Sequence, residues 1–466
     1  MNHHIRFAGV GRAAACLTGS GAFGRSFLAQ ARRIPRLDAR VAVDLTAQAA
    51  GEALASAGWP RADIALCETA QEARAAWAAG RAVAAGRLDA VLDLPFDILV
   101  EATGHPEAGA AHALAAIETR RHVVLVTKET DSVVGPMLAR LARAAGVCVT
   151  PVDGDQPSLL IDLVTWAQTM GFDIVCAGKS SEYDFVVDPA SGRVLCDGVA
   201  ADMPALTQWW SAQGRPLPEV AAGRAAALGA KFPLRAVPDL CELTLVGNAS
   251  GLSPDRPDFH APAARVPELP RLFCDRAPHG LLAGAGRLDV FHHLRAPDEA
   301  SFAGGVFVVV RCDHEESWRT LAGKGHVVDL ETGTAALYLP RHLLGLEAAT
   351  SILDAAGRGV SAYPDDYAPR LDLVAVATRD LPAGALLEAR GHHHTIDGVA
   401  AQMRPARALS RAATTPYYLV ANRRLARAVR AGEAIAPGDV VLDEASVLAG
   451  LRARQDATFA DGGETR

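Results

Sequence analysis

Aromatic side chains are scarce, at 5% of the 466 residues, while 50% of the chain is hydrophobic and rich in alanine. That combination suggests helices packed closely on sheets, and with 21% charged residues it rules out a disordered or fibrous chain. No C-x-x-C pair occurs among Cys16, Cys67, Cys148, Cys176, Cys196, Cys241, Cys274 and Cys312. Zinc-ribbon and dithiol redox readings therefore fail, and the thiols read as small core residues of a reduced, cytoplasmic protein. Also missing is an excess of basic charge: 46 Lys and Arg face 53 Asp and Glu, a net charge of −7. A nucleic-acid partner, which needs a basic face to displace counterions, is not expected, nor is an anionic membrane surface. Apolar runs fall short of the ~20 residues of a membrane span. Arg6 and Arg12 interrupt the stretch Met1–Leu17, which reads as the start of a folded motif and not as a signal peptide.

Such a length allows about three domains at ~150 residues each. From Ala13 to Pro151 short apolar runs alternate with Ala-rich stretches. Strands are expected at Ala14–Thr18, Ala39–Val43, Asp97–Ala102, His122–Val126 and Val147–Val152. Helices are expected at Gly24–Ile34, Ala47–Ala57, Glu68–Ala85, Pro106–Glu118 and Val134–Ala145. This alternation calls for a parallel sheet covered by helices. Beyond Asp155 the rhythm changes to that of a mixed α+β region: a helix at Ser158–Gln168, a strand at Asp173–Ala177, an irregular stretch, a strand at Val306–Val310 and a helix at His342–Ala355. Residues 357–369 read as a linker. Strands at Leu373–Thr378 and Val440–Leu442 then frame a small β-rich module, and the residues from Arg452 onward read as a frayed end. The apolar strand Val306–Val310 suggests a sheet face covered by another copy, hence a homo-oligomer.

Two glycine clusters compete as a nucleotide loop, Gly9-Val10-Gly11 and Gly19-Ser20-Gly21-Ala22-Phe23-Gly24. Such a loop works where a strand turns sharply into a helix whose N-terminal amides face a diphosphate. Only the second follows an apolar run and precedes a helical stretch, and only it has an acid, Asp44, at the end of the next strand, 20 positions after Gly24. Gly19, Gly21, Ala22, Phe23 and Gly24 are therefore the expected diphosphate loop. Asp44 is the expected acceptor for a ribose hydroxyl, favouring NAD over NADP. Thr103 and Gly104, after the strand ending near Ala102, belong either to the nicotinamide side or to an ordinary turn.

Lys128 and Glu129 end one strand, and Asp153, Gly154 and Asp155 end the next, at the sheet edge where ligands of open α/β folds sit. Asp153 and Asp155 suit Mg²⁺ or Mn²⁺, or equally cap the following helix. Lys179 is either a proton donor near substrate or a solvated surface lysine. Glu242 and Asn248 either complete a pocket or cap helices. The pairs His3-His4 and His292-His293 and the run His392-His393-His394 read as polar loops.

Taken together, Ser20–Trp59, Val124–Pro136, Gly154–Lys179, Gly304–Val310 and Tyr338–Glu347 resemble homoserine-dehydrogenase-like oxidoreductases. More narrowly they resemble the 1-deoxy-D-xylulose 5-phosphate reductoisomerase-like group, whose C-terminal SAF module is similar to Leu373–Gly384 and Arg424–Asp443. The resemblance is most specific in the phrases Gly154–Pro157 and His342–Glu347. It implies an α/β architecture: an N-terminal Rossmann-type parallel sheet (1–156), a central α+β catalytic domain (157–362) and a small β-rich SAF-like C-terminal domain (370–450). It also implies an NAD(P)H-dependent reductase for a small polar carbonyl compound, phosphorylated in the best-known case. A divalent metal on Asp153 and Asp155, joined by Glu242, would belong to that chemistry, with Lys179, Lys128 and Glu129 handling protons. Homoserine dehydrogenase activity and a non-catalytic nucleotide- or polyol-binding protein are the alternatives. The chain departs from the group at Pro238 and Glu182, where basic residues are expected.

Overall fold

The computed structural model describes residues 2–391, 394–409 and 414–460. It divides into two compact units, one made of residues 1–158, 343–387 and 406–466, the other of residues 159–342 and 388–405. The first unit thus takes in 343–362 and most of the C-terminal module along with the N-terminal segment.

After a short helix, α1 (His3–Arg6), the first unit alternates β1 (Ala13–Thr18), α2 (Ala22–Ala31), β2 (Leu37–Val43), α3 (Ala47–Ser56), β3 (Ile64–Cys67), α4 (Ala70–Ala78), β4 (Ala82–Ala85), β5 (Ile98–Glu101), α5 (Pro106–Glu118), β6 (His122–Leu125), α6 (Lys128–Ala145) and β7 (Val149–Pro151). The seven strands form one parallel sheet in the order β3-β4-β2-β1-β5-β6-β7. Strand order reverses between β1 and β5, which makes the carboxyl end of that pair the natural ligand crevice. The strands are short and apolar because helices cover both faces; Leu17, Val41, Val83, Leu99 and Val123 are all fully buried. The stretch expected to be one helix from Glu68 to Ala85 ends at Ala78, and its Ala-Val-Ala-Ala tail is β4. Pairing with both β2 and β3 outweighs the helix preference of alanine there.

In the second unit, α7 (Gln156–Thr169), whose first residues belong to the first unit, leads into β8 (Ile174–Val187), β9 (Arg193–Cys196), β10 (Val199–Asp202), α8 (Leu217–Gly229), α9 (Val237–Ser250), β11 (Ser253–Pro254), β12 (Ala263–Ala264), α10 (Leu269–Leu272), β13 (Arg287–Arg295), β14 (Val306–Arg311), α11 (Glu315–Gly323), β15 (Val328–Asp329) and β16 (Thr334–Leu339). These strands make a nine-stranded mixed sheet with β8 near its centre, between antiparallel β14 and parallel β13. The expected strand at Asp173–Ala177 is thus 14 residues long, not five followed by an irregular stretch. Val306–Val310 is wholly buried inside this sheet, between β8 and β16.

The remaining segments return to the first unit. The helix expected at His342–Ala355 is a 3-10 turn at Leu344–Leu346 followed by α12 (Ala349–Arg358). Within the module after 370, Leu371–Ala377 is a strand, but Val440 makes only an isolated bridge to Leu425. The end expected to be frayed is a helix, Val447–Ala460, with Arg452 and Gln455 buried.

The expected linker is also anchored. Tyr363 and Tyr367 stack with ring centroids 3.9 Å apart, and both hydroxyls donate to Asp131 on α6, from Tyr367 at 3.1 Å. Burial pushes the Asp131 carboxyl up to about 7, the two tyrosine hydrogen bonds opposing it only in part. Its ordinary value is about 4, so the folded chain holds this proton more tightly than the unfolded one. Stabilisation from the group is full below about pH 4 and is lost as pH rises toward 7. Asp131→Asn, which imitates the protonated acid, should flatten this dependence. Urea titrations should show the variant's advantage over the parent growing from pH 4 to pH 7, by up to about 1.4 kcal/mol per pH unit. Equal pH profiles for the two proteins would refute the assignment.

Candidate functional site

Gly19 turns the chain out of β1 with φ +87°, and a Cβ there would lie 2.4 Å from the Ala102 carbonyl oxygen at the end of β5. Gly24 is equally constrained, since its Cβ would come 2.3 Å from the Gly19 oxygen. Gly21 is different: it is the N-cap of α2, no side chain caps the helix, and a Cβ would meet nothing within 4 Å. The loop therefore sits tight against the sheet on one side and open on the other, with the first amides of α2 turned to the open side as anion donors. Gly9 and Gly11 precede β1 instead of following it, so the competing cluster has no such helix.

Asp44, just past β2, is held by this loop. Its Oδ2 accepts from the Ser20 amide at 2.8 Å and from the Ser20 hydroxyl, and its Oδ1 accepts from the Leu45 amide at 2.7 Å. Burial alone would raise the carboxyl, but these hydrogen bonds and the nearby Arg25 charge outweigh it and hold the group below the usual range. A fixed carboxylate thus stands beside the loop, where a ribose hydroxyl would donate.

Across the strand-order reversal, Glu101 ends β5 fully buried. Its Oε1 accepts from the Thr103 amide at 3.2 Å and hydroxyl at 2.6 Å, and His112 Nδ1 lies 3.5 Å away. The Gly104 amide donates to Thr127 Oγ1 at 3.0 Å. Thr103 and Gly104 therefore form a turn pinned from beneath at the rim of the crevice, with Gly104 at φ +67°. Lys128 and Glu129 open α6 right after β6; Glu129 is buried and Lys128 partly exposed.

The expected metal residues are placed otherwise. Asp153 gives one oxygen to the Ser158 hydroxyl and the other to the Thr350 hydroxyl. Burial raises its carboxyl, those two bonds opposing. Asp155 accepts from the Gln156 amide at 2.9 Å, at the start of α7. Asp155 thus meets a backbone amide at the helix start, whereas both partners of Asp153 are side-chain hydroxyls. Glu242 lies in the other unit and is paired with Lys179. Among the described residues no three His, Cys, Asp or Glu side chains stand as a metal-holding group. Asp153, Asp155 and Glu242 thus do not stand together as the ligand set that the divalent ion suggested by the sequence would need.

The two most specific sequence phrases turn out to be places of close approach. A Cβ on Gly154 would stand 2.2 Å from the Leu344 oxygen, and one on Gly345 would stand 2.5 Å from the Phe27 amide nitrogen. The Leu344–Leu346 turn is thereby seated against both the β7 exit and α2.

In the second unit Lys179 lies in mid-sheet, in register with Val290 of β13 and Val306 of β14, and it is fully buried. The surface-lysine alternative is excluded. Its Nζ donates to Asp239 Oδ1 at 2.7 Å and to Glu242. Asp239 and Glu242, three apart on α9, share one helix face. Burial is the main influence on Asp239, raising its carboxyl to about 6 against the opposing pull of Lys179. Sequence reasoning named Glu242 but gave Asp239 no role; the signal was two acids at i and i+3 in an otherwise apolar helix. Asn248 is buried on the same helix.

Other polar motifs also change place. His292 and His293 are buried in β13, not in a loop. Burial pushes His292 down to about 3, so it is neutral and shares a hydrogen bond of 2.9 Å with Ser181. His3 and His4 begin α1, while His392 and His393 lie outside the described residues.

Residues 154–196 and 237–348 match the family model for the catalytic domain of the oxidoreductase DRL, a span that includes Lys179, Asp239 and Glu242. No curated protein matches the chain. Among solved structures, it resembles GenD2 from gentamicin A biosynthesis in complex with NAD, with 16% identity over 77% of this chain and 91% of that one and a TM-score of 0.33. It also resembles DOX-P reductoisomerase in complex with NADPH, fosmidomycin and magnesium, with 16% identity over 52% of this chain and 59% of that one and a TM-score of 0.29. Myo-inositol dehydrogenase from Lactobacillus casei, in complex with NAD(H) and myo-inositol, shows 12% identity over 38% of this chain and 46% of that one, with a TM-score of 0.26.

Proposed function

We propose that the chain is a nicotinamide-dependent oxidoreductase that interconverts a hydroxyl and a carbonyl group on a small polar compound. The observation that carries this reading is the Gly19–Gly24 loop, closed against β5 on one side and open over the uncapped start of α2 on the other. A match to an oxidoreductase catalytic domain over much of the second unit supports it. The reductoisomerase-type reaction, on a phosphorylated or unphosphorylated sugar-like substrate, is the narrower form of the same reading and rests on the sequence phrases alone.

In this reading the amides of Ala22 and Phe23 bind the diphosphate, and Asp44 accepts a hydrogen bond from the adenosine ribose. The Thr103-Gly104 turn, pinned by Glu101 and Thr127, orients the ring that the crevice receives. Bound nicotinamide supplies the hydride chemistry. Lys128, partly exposed at the first turn of α6, is the proton donor of this unit. Lys179 acts through charge, its ammonium donating to Asp239 and Glu242. Eight cysteines outside any disulfide accord with a reducing, cytoplasmic setting, and no helix among the described residues is long and apolar enough to cross a membrane.

Fluorescence titration with NADH and NADPH tests the reading directly, with saturable binding expected and NADH tighter. No binding of either would overturn it. Binding without turnover across a carbonyl and polyol panel would leave only the nucleotide-binding alternative. Asp44→Ala should weaken NADH by about 10- to 100-fold, the worth of a hydrogen bond to a charged acceptor. It should weaken NADPH less, because the repulsion on a 2′-phosphate goes with the carboxylate. An unchanged NADH to NADPH ratio would remove Asp44 from the site.

A further inference from the structure

The Lys179 cluster carries a further inference about cations, one independent of the coenzyme. Side-chain exposure is 1% for Lys179, 3% for Asp239 and 2% for Glu242, so all three charges are out of water. Two buried carboxylates this close need a cation between them. A divalent ion would meet their oxygens at about 2.0–2.6 Å, which is the space the ammonium occupies, bonded to Asp239 at 2.7 Å and to Glu242. The position is fixed by the fold: Lys179 is locked in register between β13 and β14, and its two partners project from one face of α9.

We propose that the Lys179 ammonium is the resident cation of the Asp239–Glu242 pair, in the place of a divalent metal, and that taking the ammonium away turns the pair into a Mn²⁺ site. The native chain then needs no metal to hold this part of the molecule. The ammonium is linked to the sheet, so unlike an ion it cannot be chelated or exchanged.

Mn²⁺ binding to the full chain, read by electron paramagnetic resonance without coenzyme, tests this together with melting curves in Mn²⁺ and in EDTA. The parent protein should bind no Mn²⁺ through this pair and melt at the same temperature in both. Lys179→Ala, and in parallel Lys179→Ser, should melt lower in EDTA, gain stoichiometric Mn²⁺ and recover several degrees with it. Lys179→Ala/Glu242→Gln should lose the Mn²⁺ signal. Mn²⁺ bound by the parent and lost in Glu242→Gln would overturn the proposal. So would Lys179→Ala and Lys179→Ser chains that Mn²⁺ neither binds nor rescues, folded or not. Because no coenzyme is present, failure here is separate from failure of the oxidoreductase reading.

Discussion

Gly21→Ala should leave the melting temperature of the protein within about a degree and cost at least about 100-fold in NADH affinity, close to 3 kcal/mol. The two halves of this expectation have different physical grounds. Gly21 has φ −65°, which any residue adopts, and a Cβ there meets nothing within 4 Å, so the free protein has no reason to change. The same methyl group, however, projects into the open side of the loop, where the diphosphate must approach the amides closely. Gly19→Ala provides the contrast. Its positive φ costs about 1–2 kcal/mol for an alanine, and its Cβ would overlap the Ala102 carbonyl, which is backbone and cannot rotate away. The Gly19 variant should therefore lose stability and affinity together. Paired titration and thermal unfolding of the two variants separates a loop that binds from a loop that merely turns. If Gly21→Ala binds NADH as the parent does, the diphosphate does not lie over α2 and the proposed function loses its basis.

The parts of this fold that were legible in the sequence are those in which local preference and tertiary context agree. Pro106–Glu118 was expected and found with the same bounds, because proline at the first helical position and an alanine-rich body specify a helix by themselves. The glycine loop was legible because its constraint is local: one turn, one close approach, one helix start. Legibility failed where the reason for a residue lies far along the chain. Lys179 sits in a run of polar residues, Lys-Ser-Ser-Glu, that reads as the end of a strand, yet β8 continues through it. What makes that possible is Asp239 and Glu242, 60 and 63 residues away, which neutralise the lysine inside the sheet. His292 was misread for the same reason, its partner Ser181 being 111 residues distant. Hydropathy places such residues in loops because it prices a buried polar group without its partner. Asp153 shows the opposite limit. The acids were visible and their spacing was suggestive, but only the positions of Ser158 and Thr350 reveal that each oxygen of Asp153 meets a hydroxyl.

Arg452→Met should destabilise the first unit by about 3–5 kcal/mol, the usual result of removing one member of a buried ion pair. The residue lies in the terminal helix Val447–Ala460 and is 1% exposed. It donates to both oxygens of Asp372 at 2.6 and 2.8 Å, to Asp456 at 2.8 Å and to the Arg407 carbonyl at 2.8 Å. Removing the guanidinium leaves Asp372 buried without its cation, and that unpaired charge, more than the lost contacts, sets the size of the effect. Asp372→Asn in the Arg452→Met background should accordingly recover part of the loss, a coupling that urea unfolding of the four proteins would measure. The consequence should reach the crevice, because the same helix packs on α5 and α6. Gln455 bonds the Met137 amide and the Val133 carbonyl of α6 at 3.1 Å each, and Glu107 on α5 accepts from the Val447 amide at 2.6 Å. Those are the helices that begin just after the Thr103-Gly104 turn and at Lys128. Loosening the terminal helix should therefore weaken NADH binding as well as stability. If Arg452→Met loses stability but keeps full NADH affinity, the helix supports the unit without helping to shape its crevice.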